Sequence, residues 1–309
     1  MLLSYIPFFP KGASTVADQV DLLTLVFALL TIFFTAIVAA AALYFAIKYR
    51  RGSTADRSNP IAGNLKLELT WTIIPLIMAI GAFTWAASVY FNIIHPPEGA
   101  MEVSVTGRQW MWKIQHPTGH REINELHVPV GQPVRLTMTS QDVIHSFYVP
   151  AFRVKQDVVP GMYSHLWFEA TEPGEYHLFC TEYCGTEHSR MIGTVYVMDP
   201  KDYEAWLRSG NVSESMVQVG ERLFRDKGCS GCHAGGSSVR APLLNGVYGG
   251  PVPLDDGSVV TADDMYIRDS ILLPKKQVVG GYKPIMPTYQ GQLSEEEVFQ
   301  LIAYIKSLK

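Results

Sequence analysis

Cys180-Thr181-Glu182-Tyr183-Cys184-Gly185-Thr186-Glu187-His188-Ser189-Arg190-Met191 packs two thiols, an imidazole and a thioether into one short run. Soft donors at this density select copper over hard cations. The run ends just before Gly193-Thr194-Val195-Tyr196-Val197, a β-type segment, so a sandwich of strands would hold the ligand loop on rigid neighbours. A further donor is expected from elsewhere, and His145 in Val143-Ile144-His145-Ser146-Phe147 opens a strand-like segment that could reach the loop. A single blue-copper site needs one cysteine, so the second argues against it. The four cysteines fall as two close pairs, and the plainer alternative is two short-loop disulfides in an oxidising compartment.

Outward from the loop, residues 101–198 read as short β runs, among them Glu102-Val103-Ser104-Val105-Thr106 and Val134-Arg135-Leu136-Thr137-Met138. Gly, Pro and Asp/Asn punctuate them at short spacing, which predicts a β-sandwich or barrel. A hydrophilic linker follows, including Ser209-Gly210-Asn211. Beyond it, residues 217–227 and 294–308 have helical periodicity, the latter opening with Ser294 and Glu297 at capping-box spacing. The last domain is therefore expected to be small and mainly helical.

Before the β region lie two apolar runs, 20–47 and 69–94, each long enough for the roughly 20 helical residues that a bilayer core requires. The second contains Pro75, which a spanning helix tolerates when neighbouring groups satisfy the freed carbonyl. Between the runs, Lys48, Arg50, Arg51, Arg57 and Lys66 outnumber Asp56 and Glu68, which places the connecting loop on the cytoplasmic side. Both ends of the chain then lie outside. Residues 1–10 lack the basic start and cleavage site of a secretory signal, so either the first span serves as the insertion signal or a signal has been removed. A hydrophobic share of 48% with only 17% charged residues, and a mean hydropathy of +0.09, fits a small anchor carrying water-soluble domains. The net charge of −4 gives no broad positive field and sets nucleic acid aside as a partner.

Cys229-Ser230-Gly231-Cys232-His233 is the attachment signature of a c-type haem. Two thiols one helical turn apart add to the two vinyl groups, and the adjacent imidazole binds the iron. A redox dithiol is the rival reading, disfavoured by the following histidine and the lack of a βαβ pattern. The second axial ligand should come from well downstream. Met286, in Pro284-Ile285-Met286-Pro287, is the candidate, with Met216 and Met265 as competitors. A thioether raises the haem potential, which suits a donor to copper.

The pattern Cys-x-x-x-Cys-x-x-x-His-x-x-Met with an upstream His resembles cytochrome c oxidase subunit II across the two-span anchor and the β domain. The tail 217–309 resembles a cytochrome c, a composite found in caa-type haem-copper oxidases. The resemblance implies a two-helix hairpin, a cupredoxin-like β-sandwich and an all-α class I cytochrome c domain, divided as 1–98, 99–200, a linker 201–215 and 216–309. It implies a dinuclear copper centre bridged by Cys180 and Cys184, with His145 and His188 each on one copper, Met191 a weak ligand and Glu182 giving its carbonyl. It implies a covalent haem c on Cys229 and Cys232 with His233 and Met286 axial, and Pro242 lying against His233.

Three further roles rest on the resemblance. The Glu182 side chain corresponds to a magnesium ligand shared with the catalytic subunit, although an exposed loop acid can also be merely solvated. Trp110, in Gly107-Arg108-Gln109-Trp110-Met111-Trp112, corresponds to the residue through which electrons enter, against the alternative of core packing. Glu68 corresponds to the mouth of a proton path or is an interfacial anchor. The implied function is the electron-receiving subunit of a terminal oxidase in the bacterial inner membrane, its copper and haem domains on the periplasmic face. Its partners would be the haem-copper catalytic subunit, which reduces oxygen to water, and other oxidase subunits. A cytochrome c or a quinol-oxidising complex would be the donor. A copper subunit of a nitric oxide reductase and a non-enzymatic copper-binding module are the alternatives.

Overall fold

A computed structural model describes residues 10–58, 63–210, 214–237 and 239–308. The leader reading of residues 1–9 and the linker residues 211–213 lie outside these. The chain divides into two units, residues 1–12 with 16–95 and residues 13–15 with 96–309.

The first unit is built on two helices, α1 (Ala17–Lys48) and α2 (Leu65–Ile94), both apolar and long enough to cross a bilayer. At 1.5 Å per residue, 32 residues of α1 extend about 48 Å, more than the roughly 30 Å of a hydrocarbon core. Their large apolar side chains, such as Ile32, Val38, Ile77 and Phe83, stand exposed all round, as on a helix whose solvent is lipid. Thr24, Thr31, Thr70 and Thr84 each donate their hydroxyl to the carbonyl four residues back at 2.8 Å, which removes the polar group from the lipid. The second helix starts four residues before the apolar run because Asn64 caps it, its Oδ1 accepting from the Leu67 N–H at 3.2 Å.

The second unit begins with ten strands: β1 (Met101–Arg108), β2 (Met111–Gln115), β3 (Arg121–Ile123), β4 (Glu125–Pro129), β5 (Pro133–Ser140), β6 (His145–Val149), β7 (Val154–Val158), β8 (Ser164–Glu169), β9 (Gly174–Cys180) and β10 (Ile192–Met198). They form two five-stranded sheets in the orders β3-β2-β1-β5-β8 and β4-β10-β9-β6-β7. The β1/β5 and β4/β10 pairs are parallel and the rest antiparallel, giving a cupredoxin-like sandwich. Alternate residues such as Val103, Val105, Leu136, Phe147, Phe168 and Leu178 are buried, as the two-residue period of a strand requires.

The segment read as linker is partly helical. Asp199-Pro200 starts α3 (Pro200–Ser209), with proline at a first-turn position where its missing N–H costs nothing. Trp206 of α3 stacks on His127 at 4.5 Å, and the far side of that imidazole stacks on Tyr196 at 4.5 Å. Beneath them Glu122 accepts from His116 at 2.6 Å and from His127 at 2.5 Å. The amphipathic helix was hidden in a run whose mean polarity reads as linker.

The terminal domain consists of α4 (Met216–Asp226), the single turn α5 (Ser230–His233), a hairpin of β11 (Pro251–Pro253) and β12 (Val259–Thr261), then α6 (Asp264–Leu272) and α7 (Glu295–Ser307). The capping box on α7 forms as its spacing predicts, the Glu297 carboxylate accepting from the Ser294 N–H at 2.8 Å. The hairpin departs from an all-helical expectation and turns at Asp255-Asp256-Gly257-Ser258, with Gly257 at φ +86°. Helices α4 and α7 cross at Gly220, where an added Cβ would lie 2.0 Å from the Gln300 carbonyl oxygen. Alanine at a helical glycine gains about 1 kcal/mol of propensity. Here that gain loses to overpacking, which costs about 1–3 kcal/mol and falls on backbone that cannot rotate away. Gly220→Ala is therefore expected to lower the melting temperature of the terminal domain, measured by differential scanning calorimetry.

Candidate redox-metal centres

Cys180 is the last residue of β9, and Ile192 opens β10, so the ligand run is the connection between two paired strands. The connection is clipped at both ends: Cys180 N–H donates to the Met191 carbonyl at 3.1 Å and Thr181 N–H to the Ser146 carbonyl at 3.0 Å. On the other side of β9 lies β6, whose first residue is His145. Strand pairing thus brings a residue 35 positions upstream to the thiols. The two sulfurs are 3.8 Å apart, beyond the roughly 2.05 Å of a disulfide. His145 Nδ1 is 3.9 Å from Cys180 Sγ, His188 Nδ1 is 3.4 Å from Cys184 Sγ, and Met191 Sδ is 3.8 Å from Cys184 Sγ. The Glu182 carbonyl lies 3.4 Å from Cys180 Sγ while its side chain is exposed. Cys180, Cys184, Met191 and His145 are buried, and His188 is half-buried.

The two thiols do not behave alike. Burial pushes both up, but hydrogen bonding to His145 and to the backbone at Ser146 and Glu182 outweighs this at Cys180 and lowers it to about 7. Cys184 is pushed up to about 12, by burial first and by the neighbouring Cys180 second. A cation bound between the two sulfurs would displace their protons. Two thiols, two imidazoles, a thioether and a carbonyl gathered at these distances suit soft metal ions.

Residues that the sequence did not single out set this geometry. Asp142 accepts from His145 Nε2 at 2.9 Å, which leaves Nδ1 to face the sulfurs. Asp142 itself accepts from the Gln109 N–H at 2.8 Å and the Val143 N–H at 2.7 Å. Gln109 Nε2 donates to the Cys184 carbonyl at 2.7 Å. At Gly107 an added Cβ would come within 2.9 Å of the His145 ring, so only glycine leaves room for that imidazole. None of these positions carries a local motif. Asp142, three residues before His145, is the one that spacing could have suggested.

The alternate tryptophans are not both on a strand. Trp112 on β2 is fully buried, edge-on to His145 at 5.9 Å. Trp110 sits in the turn between β1 and β2, half-buried, and its indole borders Gly185 of the ligand loop, where an added Cβ would be 3.4 Å away. Glu68 is exposed at the start of α2 and its Oε1 accepts from the Asn64 N–H at 3.1 Å, a capping bond.

In the terminal domain, Cys229, Cys232, His233 and Met286 all line one cavity of about 430 Å³. Met216 is buried in the helical core, and neither it nor Met265 reaches the cavity. His233 Nδ1 donates to the Pro242 carbonyl at 2.8 Å, leaving Nε2 free for a metal. The walls are largely apolar, with Phe224, Leu301 and Ile305 from α4 and α7. Arg240 and Lys283 line it too, and no acidic residue among those described does, which fits an apolar macrocycle bearing carboxylates.

Comparison with known proteins agrees with both halves. The family described as "Cytochrome C oxidase subunit II, periplasmic domain" matches residues 121–197, and the family "Cytochrome c" matches 217–309. A cytochrome c oxidase subunit 2 from Alkalihalophilus pseudofirmus is 33% identical over 322 residues, covering 97% of this chain and 90% of that protein. One from Cereibacter sphaeroides is 33% identical over 255 residues, covering 68% of this chain and 82% of its own length. One from Thermostichus vulcanus is 30% identical over 258 residues, covering 64% and 77%.

The bond from His145 to Asp142 carries a direct expectation. Loss of a partner that orients a metal-binding histidine typically weakens affinity by about 10- to 100-fold. Asp142→Ala should therefore bind copper more weakly by that factor, with the fold retained, in a titration of the metal-free protein followed by absorption and circular dichroism.

Proposed function

The chain belongs to the cytochrome c oxidase subunit II family, with a cytochrome c domain behind its cupredoxin-like domain, and on that premise we propose that it takes electrons into the oxidase, haem first and copper second. The family's complex is an oxidoreductase of the haem-copper type, and this chain is a membrane-anchored subunit of it. The observation that carries the finer reading is the donor set of His145, Cys180, Cys184, His188 and Met191, with the Glu182 carbonyl, gathered at 3.4–3.9 Å steps on one loop and one neighbouring strand.

In this reading those residues hold two copper ions, and Cys229, Cys232, His233 and Met286 hold one covalent haem c. When bound, the two groups supply one-electron carriers. The protein's contribution is rigidity: the loop is tied to β6 and β10, the imidazole of His145 is fixed by Asp142 and walled by Gly107 and Trp112, and His233 is fixed by the Pro242 carbonyl. The proposed division is an anchor over 1–98, a copper domain over 99–200 with α3 packed on it, a connection shortened to 210–215, and a haem domain over 216–309. Electrons leave to the haem-copper catalytic subunit, where oxygen is reduced to water. The donor is a cytochrome c or a quinol-oxidising complex, and the membrane is the bacterial inner membrane with both redox domains periplasmic. Trp110 against the ligand loop is the proposed surface relay, the exposed Glu182 carboxylate a magnesium ligand at the subunit border, and Glu68 an acid at a proton path as well as a helix cap.

Replacing Cys180 or Cys184 with serine should abolish the near-infrared band of mixed-valence copper, and persistence of that band would remove the bridging assignment. Met286→Ala should convert the reduced haem from low spin to a form that binds carbon monoxide, read by visible absorption. A spectrum that stays low spin would assign the axial position to another residue.

A further inference from the structure

Among the described residues, the buried core of the haem domain contains one that does not belong to that domain. Tyr163, from the turn between β7 and β8, is only 8% exposed and shares a cluster with Phe224, Ile267, Phe299 and Ile302. Its ring stacks on Phe299 of α7 at 4.9 Å and 15°. The guanidinium of Arg268 on α6 lies 5.7 Å from the ring centre. Arg268 donates to the Gly161 carbonyl at 3.1 Å, gripping the same turn, and to both carboxylate oxygens of Glu295 at 2.6 and 3.3 Å.

Charged pairs surround this aromatic contact. Lys113 of β2 pairs with Glu296 of α7 at 2.8 Å, and Lys306 at the far end of α7 pairs with Glu102 of β1 at 2.8 Å. Gln141 donates to the other Glu296 oxygen at 2.9 Å. A buried aromatic ringed by polar pairs is the anatomy of a stable protein interface. The seam also runs from one centre towards the other. Gln141 precedes Asp142, the partner of His145, and Leu293, three residues before Glu296, lines the haem cavity.

We propose that Tyr163 is a plug that locks the haem domain onto the copper domain, so that the haem is a fixed donor and not a tethered one that swings on its linker. The consequence for electron flow rests on the haem-first order proposed above; the docking itself does not. The Tyr163 hydroxyl is buried without a hydrogen-bond partner, so the ring and not the oxygen makes the lock. Tyr163→Phe should keep it and Tyr163→Ala should break it.

The test uses the full chain in its complex and two readouts. One is hydrogen exchange of residues 159–163 and of the first turn of α7. The other is the rate of haem-to-copper electron transfer after photoreduction, at several solvent viscosities. Tyr163→Ala should exchange at least tenfold faster at both segments and transfer electrons at least tenfold more slowly, with a viscosity dependence that wild type and Tyr163→Phe lack. Glu296→Lys, which leaves the core intact, should do the same, and the swap Lys113→Glu with Glu296→Lys should restore both readouts. Wild-type exchange and a viscosity-independent wild-type rate in both Tyr163→Ala and Glu296→Lys would overturn the proposal. A wild-type chain with protected segments but no transfer from haem to copper would sink the haem-first order and leave the docking standing.

Discussion

The pairing of β9 with β6 on one side and β10 on the other is the constraint on which the copper domain depends. Cys180 ends β9 at the point where both neighbours are hydrogen-bonded to it, so the register of three strands fixes where His145, Cys180 and Met191 can be. A slip of one residue would turn every side chain to the opposite face. The hydrophobic alternation that buries Phe147, Leu178 and Val195 forbids that slip, and so the sandwich core holds the ligand geometry without contributing a donor.

What could be read from the chain alone follows the same physics. The soft-donor run, the Cys-x-x-Cys-His run and the two apolar helices stand out in the sequence because each is local, a pattern carried by the spacing of neighbouring residues. The capping box at Ser294 and Glu297 formed as its spacing implied. His145 was reachable because a strand starts there. Asp142, Gln109 and Gly107 were not legible, since their roles arise from chain reversals that place them against the loop. Helix α3 was missed because Tyr203 and Trp206 are two apolar anchors in an otherwise polar run, and their partners, His116 just after β2 and His127 on β4, are distant in sequence. Tyr163 was invisible for the strongest form of this reason: its packing partners lie in a different domain.

The interface between the two redox domains also bears on why the anchor and the water-soluble part use polar groups so differently. In α1 and α2 the hydroxyls of Thr24, Thr31, Thr70 and Thr84 turn back onto their own helices, because lipid offers no partner. At the seam between the copper and haem domains, by contrast, Lys113, Glu296, Lys306 and Glu102 pair across the junction. Such pairs add modest energy while partly exposed, yet they reject wrong registers of docking, because a shifted domain would leave charges half-buried and unmatched. The apolar plug supplies attraction and the rim supplies orientation.

Both centres solve the same problem with one device applied to opposite ring atoms. An electron carrier works best when its ligands do not move as the charge changes, and an imidazole on a single bond would rotate. At the proposed copper site His145 Nε2 is tied to a carboxylate, leaving Nδ1 to face the sulfurs; at the proposed haem site His233 Nδ1 is tied to the Pro242 carbonyl, leaving Nε2 without that bond. The acceptors differ in charge. The ionised Asp142, held below the usual carboxylate range because bonds from Gln109 and His145 outweigh its burial, makes its imidazole a stronger donor than a neutral carbonyl can. With the metals bound as proposed, a more electron-rich imidazole would favour the oxidised state and a thioether the reduced one.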